Sequence, residues 1–350
     1  MRPVDAPQTL GYHRQTSNCC RRELDLRYGI YMSLYGAIKG TGESGFGWST
    51  HAEEVVDGLD LSGQNILITG CNSGIGLETM RVLTQRGATV FAAARSLEKA
   101  QNAGAEAGGE TIPVVCELSD PQSVQECAAE VREQGKQIDA LICNAGIMAL
   151  PKRQTVLGYE KQFFVNHVGH FILVTELLDQ LADDGRVVVV SSDAHKGARK
   201  DGIEFDNLSG EKRYSGWRAY CQSKLANLLF ARELGRRFEE EGSDRVANAA
   251  HPGPIDTNLT RHMNMVARAG WAMAGPLFLK SIPEGASTQT WAAVYPDAAG
   301  INGEYLANCN IADSSKHGAN MEMAARLWEE TERIVDEVTE QATEARETAS

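Results

Sequence analysis

From residue 65 onward, short apolar runs rich in β-formers alternate with longer stretches of helical period. "NILIT" (65–69), "TVFAAA" (89–94), "IPVVC" (112–116), "DALIC" (139–143), "RVVVVS" (186–191) and "RVANAA" (245–250) read as buried strands, and "GEYL" (303–306) as one last strand. Helices fill the gaps, among them 75–86, 121–134, 155–181 and 219–240. Ala324, Leu327, Trp328, Thr331, Ile334, Val335 and Val338 follow i, i+3, i+4, i+7 spacing and predict a final amphipathic helix. Parallel neighbours need crossover connections, so the alternation predicts an α/β fold with a doubly wound parallel sheet flanked by helices. Without an internal repeat, residues 51–340 read as one domain, between an irregular extension over 1–50 and a solvated tail over 341–350. Ordered-looking sequence begins only near "HAEEVVDGLDLSG", which makes Met32 an expected alternative start of translation.

Charge and composition narrow the classes. A net charge of -13 with no basic block opposes a nucleic-acid partner, whose phosphates would be repelled. No apolar stretch approaches the roughly 18 to 20 residues of a transmembrane segment, and the N-terminus has no signal-peptide core. A soluble, cytoplasmic protein is expected. Cys19, Cys20, Cys71, Cys116, Cys127, Cys143, Cys221 and Cys309 form no C-x-x-C pair, so neither a metal site nor a disulfide framework is expected. Cys221 adjoins Tyr220, which leaves it open to thiol reagents by proximity.

Tyr220 and Lys224 lie four residues apart at the head of an apolar helical run, hence on one face. A lysine charge near a phenol favours the phenolate and lowers its pKa, the condition for proton exchange with an alcohol or carbonyl near neutral pH. The first strand runs into "TGCNSGIG" (69–76), then a helix. Gly70, Gly74 and Gly76 there permit a tight turn and close approach of a pyrophosphate to a helix N-terminus. At the end of the second strand, where NAD enzymes usually carry a carboxylate for the ribose, stands Arg95. A guanidinium suits a 2′-phosphate, so NADP(H) is favoured over NAD(H).

"TGCNSGIG", "CNAG" (143–146), the Asn166 of "FFVNHVGHF", "VVVVSS" (187–192), "YCQSK" (220–224) and "HPGPIDT" (251–257) follow the order and nearly the spacing of the short-chain dehydrogenase/reductase family. These motifs span roughly residues 60–310, and with "STHAEEVVDGLDLSG" (49–63), "GEYLANCNIA" (303–312) and "ARLWEE" (325–330) the chain resembles the branch of retinol dehydrogenases, WW-domain oxidoreductase and a plant chloroplast-envelope relative. The resemblance implies a single Rossmann domain with a seven-stranded parallel sheet. It implies Tyr220 as general acid or base, Lys224 as its partner and holder of the nicotinamide ribose, and Ser192 as donor to the substrate oxygen. Asn166 would serve a water that passes protons to Lys224. It implies cofactor contacts for Asn72, Ser73 and Ile75 in the glycine loop, for Asn144, Ala145 and Gly146, and for Pro252, Gly253, Ile255 and Thr257. Glu117 and Leu118 stand where the family has Asp-Leu beside adenine; the longer acid is a departure. A homo-oligomer through the helices carrying Asn166 and Tyr220 stays open.

A second departure is the long segment between Ser192 and Tyr220, read as an arm near the pocket mouth with Tyr214 and Trp217 as candidate lining. His195 within it reads as a surface or structural histidine rather than a substrate contact. Met263, Met265, Val266, Trp271, Met273, Leu277 and Phe278 make residues 258–282 apolar, as substrate cover or as packing of a lid or subunit contact. The expected function is alcohol–carbonyl interconversion on an apolar small molecule. The competing readings are an NADP(H)-binding sensor or scaffold and, lower, a protochlorophyllide reductase-like enzyme. A pure binder has no evident use for Ser192, Tyr220, Lys224 and Asn166 together.

Overall fold

The computed structural model describes residues 40–255 and 279–347. Its strands are β1 Asn65–Thr69, β2 Thr89–Ala94, β3 Thr111–Val115, β4 Ile138–Cys143, β5 Thr155–Val156, β6 Tyr159–Glu160, β7 Leu181–Val190, β8 Val246–His251, β9 Tyr305–Ala307 and β10 Asn310–Ile311. Every residue of "TVFAAA" is buried, as a strand with helices on both faces requires. The main sheet runs β10-β9-β8-β7-β4-β1-β2-β3. Seven strands are parallel, as expected, and β10 adds an antiparallel edge to β9. The extra strand exists because Asn308 and Cys309 take φ of 54° and 60°, reversing the chain.

The helices are α1 Ala52–Val55, α2 Gly74–Thr84, α3 Leu97–Ala107, α4 Pro121–Glu133, α5 Gly169–Leu177, α6 Gly216–Glu240, α7 Ile282–Val294 and α8 Met321–Glu347. Local chemistry sets several starts. Asp120 accepts from the Gln122 N–H just before Pro121, and Ser281 forms a capping box with Glu284. The helix expected over 155–181 is broken up. Leu157 and Gly158, with φ of 47° and 89°, turn the chain between β5 and β6. Glu160 then caps a short turn at Lys161–Phe163, and Phe164–Val168 forms a π turn before α5. The backbone leaves helix at Leu177, and β7 starts at Leu181, earlier than 186.

Chain reversal in strand order occurs between β1 and β4, where connections diverge to the two halves of the sheet. In such sheets ligands bind outside the carboxyl ends of strands at that switch point.

Residues 41–50 have no regular element, but Phe46 is buried and meets Tyr295 edge-on with centroids 5.1 Å apart. At the other end, α8 buries Ala324, Leu327, Trp328, Thr331, Ile334 and Val338, and continues past residue 341 to Glu347. Trp328 lies 4.8 Å from Phe171 of α5 and 5.8 Å from Phe230 of α6, with the Arg237 guanidinium 4.0 Å from its ring. The His167 ring in the π turn reaches Thr331 Oγ1 at 2.9 Å. These parts of the helices carrying Asn166 and Tyr220 are thus covered from within the chain. Trp328→Ala is expected to cost about 3–5 kcal/mol, read as a lowered urea midpoint with unchanged slope; a loss below about 1 kcal/mol would show that α8 is not held there.

Among the described residues no helix is long and apolar enough to cross a membrane. The six described cysteines are free and buried; Cys19 and Cys20 lie outside the described residues.

Candidate active site

The sequence motifs converge at the carboxyl ends of the strands. Gly70 follows β1 with φ of 66°, and a Cβ there would meet Ala145 Cα at 2.9 Å. At Gly76 a Cβ would meet the Gly70 carbonyl oxygen at 2.4 Å and Asn144 Nδ2 at 2.5 Å. Only glycine permits this closeness of loop, helix α2 and the turn after β4. Gly74 has φ of 60°. Asn72 and Ser73 are exposed on the loop, and Ser73 gives α2 no side-chain cap. The helix start therefore keeps free N–H donors, which suits a phosphate.

Asn144 fastens this cradle. Its Nδ2 donates to the Thr69 carbonyl at 2.8 Å, while the Asn144 and Ala145 N–H groups both donate to Thr69 Oγ1 at 3.0 Å. Gly146 is exposed beside them. Gly253, with φ of 91°, lies against the Lys280 stem, and Ile75 and Ile255 both lie against Gly285 of α7. Arg95 is exposed just beyond β2. Glu117 turns its carboxylate onto the Ser119 N–H and hydroxyl, and Leu118 is buried in the core. Thr257 and the apolar set Met263, Met265, Val266, Trp271, Met273, Leu277 and Phe278 lie outside the described residues.

Lys224 and Asn166 come together beside Gly146, and Tyr220, with Ser192 next to it, adjoins Lys224. The point where a Gly146 Cβ would stand is 3.5 Å from Lys224 Nζ and 3.3 Å from Asn166 Oδ1. Lys224 Nζ donates to the Val190 carbonyl at 2.8 Å, which also accepts from Asn227 Nδ2, and Ser191 Oγ donates to the Lys224 carbonyl at 2.7 Å. Of the serine pair, Ser191 is thus spent on α6, while the Ser192 hydroxyl faces the Tyr220 phenol and favours its ionised form. Asn166 is wholly buried and pairs with both backbone groups of Ile147 and with Ser223 Oγ.

Burial governs the charges here. It pushes the Tyr220 phenol up to about 12, against the Ser192 hydrogen bond, and the Lys224 ammonium down to about 8. The sequence expectation that Lys224 lowers the phenol's pKa is therefore outweighed by desolvation: Lys224 Nζ lies 5.8 Å from the ring centroid and is aimed at Val190. Tyr220 is a protonated acid at neutral pH.

Of the arm between Ser192 and Tyr220, Trp217 is half exposed with its ring 5.8 Å from that of Tyr220, whereas Tyr214 donates its hydroxyl to the Leu150 carbonyl. His195 is buried, as a structural histidine would be. Cys221 is also buried, its thiol pushed up to about 11, so proximity to Tyr220 does not make it a reactive thiolate. Thr69, Ser191 and Asn227 were not singled out in the sequence; the threonine before the glycine loop and the first serine of "SS" are the signals that mark two of them.

A family profile described as short chain dehydrogenase matches residues 64–266. A relative named short-chain dehydrogenase TIC 32 B, chloroplastic, from Brassica napus is 39% identical, covering 87% of this chain and 99% of its own. Human retinol dehydrogenase 12 is 38% identical, covering 77% and 85%. The solved structure of an uncharacterized protein from Mycobacterium Paratuberculosis, 36% identical, covers 83% of this chain and 98% of its own with a TM-score of 0.68. The fold, the cradle and these likenesses agree: the chain is an oxidoreductase that belongs to the short-chain dehydrogenase/reductase family, in the branch of the retinol dehydrogenases, and its fold implies a nicotinamide cofactor.

Proposed function

We propose that this protein interconverts an alcohol and a carbonyl on an apolar small molecule with NADP(H), through Tyr220, Lys224, Ser192 and Asn166. The observation that carries this reading is that Lys224 and Asn166 stand beside Gly146 of the glycine cradle while Tyr220, with Ser192 next to it, adjoins Lys224. The cofactor, when bound, supplies or accepts the hydride. Gly70, Asn72, Ser73, Gly74, Ile75 and Gly76 would hold its phosphates at the start of α2, with Asn144, Ala145, Gly146, Pro252, Gly253, Ile255 and Thr257 along its length. Arg95 would take a 2′-phosphate through paired N–H donors.

The protein's own residues do the proton work. Tyr220, kept protonated by burial, gives its hydroxyl proton to the carbonyl oxygen as negative charge grows there. Ser192 donates a hydrogen bond to that oxygen. Asn166 would hold a water that passes protons to Lys224, which returns one to Tyr220 after each reduction. Trp217 offers an exposed aromatic face beside Tyr220, which suits an apolar substrate. The six cysteines among the described residues are buried and free of disulfides, which supports a reducing compartment, for which we propose the cytoplasm.

The test is oxidation of NADPH and of NADH by the purified protein against a panel of apolar aldehydes and ketones. NADPH-linked turnover is expected, with Arg95→Ala lowering the NADPH-over-NADH preference by about tenfold or more. Nucleotide binding with no turnover on any carbonyl or alcohol would instead make the protein a sensor or scaffold.

A further inference from the structure

Two buried histidines that take no part in this chemistry stand directly behind residues that do. His170 of α5 has its Nδ1 at 3.0 Å from the Asn166 carbonyl oxygen and its Nε2 at 2.8 Å from Thr69 Oγ1. A carbonyl only accepts, so Nδ1 carries the proton and Nε2 receives the threonine hydroxyl hydrogen. That same Thr69 oxygen accepts the Asn144 and Ala145 N–H groups of the cofactor cradle. His195 repeats the arrangement on the other side. Its Nδ1 lies 2.7 Å from the Ser192 carbonyl, and its Nε2 accepts the Ser315 N–H at 2.9 Å.

Each ring therefore grips the main chain of one site residue and is anchored by a segment distant in sequence. Asn166 needs such a grip because it lies in a π turn, where backbone pairing slips by one residue. Ser192 needs it because it is the last extended residue before a 3₁₀ turn, with its hydroxyl also accepting the Ala194 N–H at 3.2 Å. We propose that His170 and His195 are positioning residues for Asn166 and Ser192, each fixing the main chain through Nδ1–H and each held in that tautomer by its anchor at Nε2. Burial keeps both rings neutral, pushing His170 down to about 4 and His195 below its ordinary value. The proposal rests on the reading of Asn166 and Ser192 given above.

Paired substitutions test it. An asparagine amide nitrogen falls where Nδ1 stands, and a glutamine amide falls where Nε2 stands. His170→Gln and His195→Gln keep the anchor and lose the grip, so kcat for carbonyl reduction is expected to fall at least about tenfold with NADPH affinity unchanged. His170→Asn and His195→Asn keep the grip, and kcat is expected within about threefold of wild type. Nitrogen-15 NMR of the wild-type histidines reads the rings without any substitution, and both are expected as Nδ1–H tautomers. Glutamine variants as active as wild type, asparagine variants as impaired as glutamine ones, or an Nε2–H tautomer at either ring would overturn the proposal. Should the variants not fold, the tautomers decide. A wild type with no turnover at all is a different result, and it removes the functional reading first.

Discussion

Tyr220→Phe is expected to lower carbonyl reduction by about a thousandfold, within the range a positioned general acid supplies, while nucleotide affinity stays within about twofold. Phenylalanine fills the same volume, so contact with the Trp217 ring at 5.8 Å and the seat of Lys224 on the Val190 carbonyl should persist. What goes is a hydroxyl whose proton burial holds to about pH 12, beside Ser192. Direction of reaction is affected too. A phenol this reluctant to ionise favours its role as acid over its role as base, so alcohol oxidation by the wild type should gain more from rising pH than carbonyl reduction does. Lys224 sets a second limit, since its ammonium is lost above about pH 8 and with it the charge nearest the site. Steady-state rates in both directions, with nucleotide binding followed by tryptophan fluorescence, check all of this. A variant keeping more than about a tenth of wild-type kcat would remove Tyr220 from the acid's role and leave family membership untouched.

The parts legible in the sequence are those that local physics writes there. "TVFAAA" is apolar throughout because β2 is covered on both faces, and Gly70 and Gly76 are glycines because a Cβ at either would enter the neighbouring backbone. The meeting of Tyr220 with Lys224 follows from helical spacing alone. The misread stretch, 155–181, failed where a short apolar run hides a turn: Leu157 pays no visible penalty in composition for its φ of 47°. A π turn at Asn166 leaves no periodic trace either. The start of helix α7 is written in the sequence as a Ser281–Glu284 capping box with Pro283 in the first turn. His170 reads as one more residue of an apolar helix, and nothing local reveals that its partner Thr69 stands 101 residues away. The tuning of Tyr220 is hidden for a related reason, since spacing places Lys224 on the right face but cannot weigh burial against it.

Acid is expected to unfold this protein well before ordinary carboxylate titration would. His167, His170 and His251 are buried, and desolvation pushes them down to about 3, about 4 and about 4. In the unfolded chain a histidine takes its proton near pH 6.5. Below that pH the unfolded state binds protons that the folded state refuses, so stability falls as pH falls, and the loss stops growing only when pH passes the folded values. Each such proton is worth about 1.4 kcal/mol per pH unit, so the three together remove about 4 kcal/mol for each unit below 6.5, against a total stability of about 5–15 kcal/mol. Exposed Asp193 and buried Glu233, both held low by their basic partners against desolvation, add to the loss at still lower pH, whereas Glu160 and Asp139, raised by burial, oppose it. The urea midpoint should therefore drop steeply between pH 6.5 and 5, and His251→Asn should flatten that slope by about one proton's share. A midpoint constant over that interval would mean the rings are charged in the fold. The consequence reaches the site, because His170 holds Asn166 and His251 accepts the Gly253 N–H at 3.3 Å. Activity lost on acidification should accordingly track unfolding rather than the titration of Tyr220 or Lys224, both of which remain protonated throughout that range.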